Sequence, residues 1–268
     1  MLLNDWLQTA TKNLESVQIS SARLDILILL EDQLKKDRSW ILANSDYELT
    51  HELLKNLNEL VVRRAKHEPL AYIRGKSEFY GRTFRVTSAT LQPRPETETM
   101  ITELKKLKLS REMDIADVGT GSGCLAITAK LELPYTQIYA TEINIDALKI
   151  AKQNAKEFRA LINFYQGDIL RLLESQHLDI VLANLPYVPD SHTINEAAMY
   201  EPRVAIFGGE DGLDLYRRLF IQISQRKQKP KYALTESLPF QHQVVTQIAQ
   251  LNGYALASTE DFIQVFNR

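Results

Sequence analysis

A single cysteine, Cys124, stands in 268 residues, so an internal disulfide is excluded and a cysteine-rich metal cluster with it. It follows directly on a glycine loop, where a small side chain suits helix packing, and it reads as a packing residue. The five histidines, His51, His67, His177, His192 and His242, include no pair at ligand spacing, and no metal site is expected. Long apolar runs are also lacking. The strongest, residues 24–30, is too short to span a bilayer and contains Asp25, and no basic region precedes an apolar one near Met1. No membrane partner is expected, and the expected location is cytoplasmic. Neither charge sign is in excess: 32 Lys and Arg against 34 Asp and Glu leave a formal net charge of -2, with a pI near 6.2. Such a chain has no global attraction for a polyanion, so no direct nucleic-acid partner is expected. Internal repeats and low-complexity segments are absent.

What is present is the composition of a water-soluble globular protein, 44% hydrophobic and 25% charged with a mean hydropathy of -0.24. The length suits two modest domains. From residue 2 to about residue 74, apolar side chains recur at three-to-four spacing, among them Trp6, Leu7, Leu24, Leu27, Ile28, Leu53, Leu54, Leu57, Leu60 and Val61. Breaks near residues 18–21 and 44–46 divide this stretch into several helices. Residues 78–86 place aromatic and β-branched side chains around Gly81, the composition of a hairpin linking the two domains. After Pro93-Arg94-Pro95, residues 96–107 read as a helix with acidic residues in its first turn. Strands at 115–118, 137–141, 162–165 and 178–183 then alternate with helices at 124–130 and 145–158. Helices at 213–224 and 240–251 and strands at 231–235 and 262–266 follow. The alternation predicts an α/β fold, a parallel sheet with helices on both faces and a ligand crevice at the carboxyl ends of its strands.

Two motifs fall at those ends. In Asp117-Val118-Gly119-Thr120-Gly121-Ser122-Gly123 the glycines permit positive φ and leave the backbone open to a ligand, while the following helix offers unpaired N–H groups. Glu142, at the end of the next strand, is placed to accept from both hydroxyls of a ribose. A nicotinamide dinucleotide is disfavoured, because Cys124 occupies the position that its fingerprint gives to glycine or alanine. Asp117 would also repel a pyrophosphate, whereas it would attract the ammonium of S-adenosylmethionine, which carries no phosphate. Gln166-Gly167-Asp168-Ile169 follows the third strand; Asp168 is placed to accept an adenine amino group and Ile169 to pack on the ring, although a plain turn explains the segment equally.

The second motif is Asn184-Leu185-Pro186-Tyr187, after the apolar run 178–183. An amide nitrogen is a poor nucleophile, so an enzyme that methylates one must hold its N–H bonds and aim it, which calls for acceptors more than for a strong base. The Asn184 side-chain oxygen and the Leu185 carbonyl supply two, because Pro186 keeps Leu185 extended. Tyr187 offers a face for the planar group. A strand ending in a proline turn with a packed tyrosine is the bland alternative.

The chain resembles the release-factor glutamine methyltransferases over most of its length. The likeness runs through Ser21-Ala22-Arg23-Leu24-Asp25, Glu68-Pro69-Leu70-Ala71-Tyr72-Ile73 with Gly75, Glu78-Phe79-Tyr80-Gly81, and Pro93-Arg94-Pro95-Glu96-Thr97-Glu98. It continues through the glycine loop to Glu201-Pro202 and Gly208-Gly209-Glu210-Asp211-Gly212-Leu213. The resemblance implies a Rossmann-like class I methyltransferase sheet at residues 93–268, a β-hairpin linker at 76–92 and a small all-helical domain at 1–75 that binds class 1 peptide-chain release factors. It implies methyl transfer from S-adenosylmethionine, leaving S-adenosylhomocysteine, to the glutamine amide of a Gly-Gly-Gln tip. Beside Asp117, assigned to the cofactor by its charge, cofactor contacts are implied at Gly119, Thr120, Gly121, Ser122, Gly123, Glu142, Asp168, Ile169 and Asn184, with Asn184, Leu185, Pro186 and Tyr187 holding the glutamine. A monomer is expected. The chain departs from the family twice: Leu185 replaces the first proline of Asn-Pro-Pro-Tyr, and Glu142 replaces an aspartate. Asn-Leu-Pro-Tyr is typical of ribosomal-RNA adenine dimethyltransferases, which resemble this chain in the two motifs alone. The basic cluster Arg63, Arg64 and Lys66 reads as a solvated helix face or as a contact for an acidic partner.

Overall fold

The computed structural model describes residues 1–107 and 112–268. It divides into two compact units, Met1–Gly75 with Asn195–Tyr200, and Lys76–Ile194 with Glu201–Arg268. The first unit is helical: α1 (Leu3–Ser16), α2 (Ala22–Leu34), α3 (Arg38–Ala43), α4 (His51–Ala65) and α5 (Leu70–Arg74). Local chemistry starts the middle helices, since the Asp37 carboxylate accepts from Trp40 N and the Thr50 hydroxyl from Leu53 N. The apolar stripes bury Trp6, Leu14, Ile26, Leu30 and Leu57 in one core. Asp25 is buried there and accepts from Ser21 Oγ at 2.9 Å and from Arg64 Nε at 2.7 Å. Arg63 pairs with Glu68, so two members of the basic cluster are neutralised within the unit. Residues 195–200 join this unit through His67 Nε2 to Glu196 at 2.9 Å and Tyr200 Oη donating to the Lys66 carbonyl at 2.6 Å.

The second unit begins with an antiparallel hairpin, β1 (Lys76–Phe79) and β2 (Arg82–Arg85). Tyr80 and Gly81 both have positive φ, 49° and 70°, the turn that matches strand twist in a two-residue hairpin. Phe79 and Phe84 are fully buried in the core of this unit. The remaining elements are α6 (Pro95–Lys106), β3 (Asp114–Val118), α7 (Cys124–Glu132), β4 (Gln137–Glu142), α8 (Ile145–Phe158), β5 (Asn163–Gln166) and β6 (Ile180–Ala183). After them come α9 (Arg203–Ile206), α10 (Asp214–Gln225), β7 (Tyr232–Glu236), α11 (His242–Leu251), β8 (Ala255–Glu260) and β9 (Ile263–Asn267).

The sheet order is β5-β4-β3-β6-β7-β9-β8, parallel from β5 to β7, with β9 antiparallel to β7 and to β8. Strand alternation sorts side chains to two faces. Ile115, Ile180 and Leu182 join α6, α7 and α8 on one face, and Ala116, Val118, Val181 and Ala183 join α10 and α11 on the other. The chain leaves β3 toward β4 and β5 and returns to β6 on the opposite side, which opens a crevice between β3 and β6. Register pairs Val118 with Ala183, so the glycine loop and Asn184 leave the sheet side by side.

Three features differ from the sequence reading. The break between α2 and α3 carries no glycine or proline; Lys35 takes a left-handed conformation and Asp37 caps the next helix. Strand β8 was not expected, because all six of its residues are exposed and it owes its form to pairing with β9 rather than to a buried face. Helix α9 is a single turn, too short for periodicity to register. No described helix is long and apolar enough to cross a membrane.

Candidate active site

Gly119 N and Thr120 N both donate to the Thr141 carbonyl at 2.9 Å, which ties the glycine loop to the end of β4. Gly119 has φ 72°, and a Cβ there would stand 3.0 Å from Leu185 Cδ2, so the loop and the second motif pack directly. Gly123 caps α7 at φ 82° and lies within 3.2 Å of the Ala151 backbone in terms of an added Cβ, which lets α7 seat against α8. Behind the loop, the fully buried Asn154 donates to the Ser122 carbonyl at 2.8 Å and to the Arg85 carbonyl at 3.0 Å, and accepts from Arg85 N at 2.8 Å.

Asp117 is 2% exposed at the end of β3. Its Oδ2 accepts from Thr120 Oγ1 at 2.5 Å and from Ala126 N at 3.1 Å. Burial pushes its carboxyl up to about 7 against those two hydrogen bonds, and the neighbouring Glu142 adds to the rise. Glu142 Oε2 accepts from Gly121 N at 2.9 Å and Oε1 from Asn144 N at 2.8 Å, so the strand-end carboxylate is aimed by the loop it faces. Asp168 pairs with Arg218, and Ile169 holds φ 52°, an uncommon conformation for a β-branched residue and one that turns it into the crevice wall. Burial pushes the Cys124 thiol up to about 12, so it stays protonated and unreactive.

The second motif is fixed from behind. Asn184 Nδ2 donates to Thr97 Oγ1 at 2.9 Å, which occupies the donor end of the amide and leaves Oδ1 as the end to meet a ligand. Leu185 N donates to Tyr216 Oη at 3.3 Å, and Tyr216 in turn donates to the Glu236 carbonyl, its closest acceptor. That hydroxyl also stands 3.3 Å from the Leu185 carbonyl, but its one hydrogen is committed to Glu236, so the Leu185 oxygen keeps its acceptor capacity. Tyr187 Oη donates to Glu236 Oε1 at 3.0 Å, and burial beside that carboxylate pushes the phenol well above its ordinary range. Gln241 Nε2 donates to the Tyr187 carbonyl at 2.8 Å. Glu201, buried, accepts from Arg94 at 2.5 Å and from Gln92 N at 3.3 Å.

These residues surround a cavity of about 330 Å³, within the range of small-molecule sites. Every residue expected to hold cofactor or substrate forms part of its wall except Gly123, which packs against Ala151 of α8, and Tyr187, whose hydroxyl is turned to Glu236. Wall residues that the sequence reading did not assign include Thr97, Ile143, Leu215 and Arg218. Ile143 carried a signal, since it is an apolar residue immediately after an acidic strand end, and it is 64% exposed. Glu236 carried a similar one, as an acid ending an apolar strand. Among the described residues no cluster of three or more His, Cys, Asp or Glu could hold a metal ion.

The matched domain and the relatives make the protein an S-adenosylmethionine-dependent methyltransferase. Residues 95–254 match the family described as the Methyltransferase small domain, and residues 5–75 match the PrmC N-terminal domain. The Release factor glutamine methyltransferase of Koribacter versatilis is 38% identical over 229 residues, 83% of this chain and 81% of that protein. Its counterpart in Coxiella burnetii is 35% identical over 254 residues, 92% and 91% of the two chains. The Bifunctional methyltransferase of Rickettsia conorii is 32% identical across 98% of this chain, which spans 56% of that longer protein. A solved methyltransferase from Pyrococcus furiosus shares the fold at a TM-score of 0.53 and 16% identity, over 70% of this chain and 90% of that one. The chain belongs to the release factor glutamine methyltransferase family.

Proposed function

We propose that the protein transfers the methyl group of S-adenosylmethionine to the side-chain amide nitrogen of the glutamine in the Gly-Gly-Gln tip of class 1 peptide-chain release factors, in the cytoplasm, and so modulates translation termination. The observation that carries the reading is the locked Asn184 amide: with Nδ2 engaged by Thr97, its oxygen and the Leu185 carbonyl are two acceptors at fixed positions beside the glycine loop. Two acceptors answer the two hydrogens of a primary amide.

The donor set around the cavity fits the cofactor. Asp117 is a buried carboxylate whose neighbours supply hydrogen bonds and a second negative charge, and a ligand ammonium would complete it. Glu142 suits a ribose diol, and Ile143 and Ile169 suit the two faces of a purine, with Asp168 near its amino group. When bound, the cofactor supplies an already activated methyl on a sulfonium. The protein's part is then to exclude water and to hold the amide nitrogen in line, which is catalysis by positioning. Tyr187, held by Glu236 and Gln241, steadies the motif that meets the amide, and the helical unit, residues 1–75, grips the release factor, with the protein acting as a monomer.

The test is transfer of labelled methyl to a purified class 1 release factor, beside a copy whose Gly-Gly-Gln glutamine is replaced by alanine. Label on the intact factor alone is the expected result. Label on neither, with cofactor bound, overturns the substrate assignment and directs attention to RNA adenine.

A further inference from the structure

Glu236 ends β7 at 1% exposure, inside the same unit as the cavity but behind its wall. Two hydrogen-bond routes converge on this one residue, and a third side chain, Thr97, acts on its carboxylate. Oε1 accepts from Tyr187 Oη at 3.0 Å. The main-chain carbonyl accepts from Tyr216 Oη, which accepts from Leu185 N. Thr97 Oγ1 accepts from Asn184 Nδ2, so its own hydrogen remains to be donated, and its hydroxyl favours the ionised Glu236 carboxylate. Oε2 is buried with no partner within hydrogen-bond geometry, so the Thr97 hydroxyl acts on the carboxylate without being seated on that oxygen. An isosteric apolar residue would avoid the cost of burying a carboxylate with one oxygen unpaired. The charge is retained where it meets the Tyr187 end of the motif directly and the Asn184 end by way of Thr97.

We propose that Glu236 is a positioning residue for methyl transfer: its ionised carboxylate anchors the Tyr187 hydroxyl directly and the Asn184 amide through Thr97, holding the substrate's acceptors in one orientation. This rests on the proposed glutamine site. Protonated, Glu236 would place a hydrogen on one oxygen and lose an acceptor, and one of the two ties would slacken. Burial pushes this carboxyl up to about 7, with Thr97 and Tyr187 pulling it down, Glu96 raising it and Arg94 lowering it. Turnover therefore falls as pH drops below about 7. Asp117 titrates in the same range on the cofactor side, but a bound ammonium holds it ionised, so kcat at saturating cofactor reports Glu236.

The experiment measures kcat, release-factor KM and cofactor Kd between pH 5.5 and 9 for the wild type, E236Q and E236D. Glutamine keeps the shape but turns one acceptor into a donor. The expected result for E236Q is a kcat about 10- to 100-fold lower at pH 8, the scale of a misplaced reactant. Release-factor KM and cofactor Kd change little, the acid limb of kcat disappears, and E236D restores that limb in part. Wild-type kcat with an unchanged acid limb in E236Q overturns the inference. So does a fall in kcat that leaves the limb in place, which marks a merely structural role. Absence of transfer by the wild-type protein indicts the glutamine reading instead. A substrate-independent check then decides the inference: crystal structures of both proteins at pH 8. Displacement of Tyr187 Oη or of the Asn184 amide in E236Q supports it, and superposable side chains overturn it.

Discussion

Asp117→Asn isolates the role of the buried carboxylate beneath the glycine loop. An unfolded aspartate ionises near 3.8, whereas the folded one holds its proton until about 7. Between those values the folded state binds more protons than the unfolded state, so this group makes stability fall as pH rises. The slope is about 1.4 kcal/mol per pH unit and the total about 4 kcal/mol, with nothing further lost above pH 7. A ligand ammonium reverses the preference, since it favours the ionised form. Ligand affinity therefore rises with pH up to about 7, by at most about tenfold per unit, and then levels. Asparagine keeps an oxygen for Thr120 Oγ1 and Ala126 N, the two donors that Asp117 Oδ2 serves, but has no charge to titrate. The variant should be the more stable protein at pH 8 and lose about 1.5–3 kcal/mol of cofactor binding, about 10- to 150-fold in Kd, the scale of a hydrogen bond to a charged group. The assay is calorimetric titration with S-adenosylhomocysteine, which keeps the ammonium and lacks the sulfonium, from pH 5.5 to 8.5, beside thermal unfolding over the same range. Equal Kd values with parallel pH slopes in the two proteins would refute the reasoning.

Gly208→Ala should abolish transfer and destabilise the second unit by about 1–3 kcal/mol, because the new Cβ would stand 2.3 Å from both the Pro186 and Gly212 carbonyl oxygens; activity and melting temperature read it. Asn154→Ala leaves the Ser122 and Arg85 backbone groups without their buried partner, for a loss of about 3 kcal/mol by denaturant unfolding and a higher KM for cofactor than for release factor. Arg64→Met strands the buried Asp25 carboxylate, and unfolding should show a loss of about 3–5 kcal/mol in the helical unit with cofactor affinity unchanged. If Arg64 instead served only as a partner contact, stability would hold and release-factor KM alone would rise.

Most of the sheet was legible because its elements, β8 apart, announced themselves locally. Apolar runs at 115–118 and 178–183 became β3 and β6, the boundaries of α8 agree with the expectation at both ends, and both motifs lie at strand ends where alternation placed them. What was not legible depends on pairing or on distance. Strand β8 has no buried face to impose a period of two, so nothing in 255–260 distinguishes it from a loop until β9 supplies the ladder. Residues 195–200 join the helical unit through contacts with His67 and Lys66, the latter 134 positions away, and no local pattern records such a pairing. Arg64 looked like surface charge because its partner, Asp25, lies 39 positions earlier in a different helix. In the site, Thr97 and Tyr216 were hidden for the same reason. They act by holding Asn184 and Leu185 across intervals of 87 and 31 residues, and each alone reads as an ordinary helix residue.

The acids at the strand ends share one physical logic. Asp117, Glu142 and Glu236 terminate β3, β4 and β7 or stand one residue from their ends, all nearly buried. Two of them have carboxyls pushed up to about 7 chiefly by burial. Without ligand this is a destabilised arrangement at Asp117, since burial and the neighbouring Glu142 both oppose its ionisation. A neutral or anionic ligand would leave that strain in place. A ligand with an ammonium placed beside Asp117 would relieve it there, and part of its binding free energy would come from charge the fold already holds. Glu236 gains no such relief, because it lies behind the wall, out of the ligand's reach. Its ionisation must be supported by Tyr187, Thr97 and Arg94 alone, which is why the acid limb of turnover, rather than of cofactor binding, is where its charge should be read.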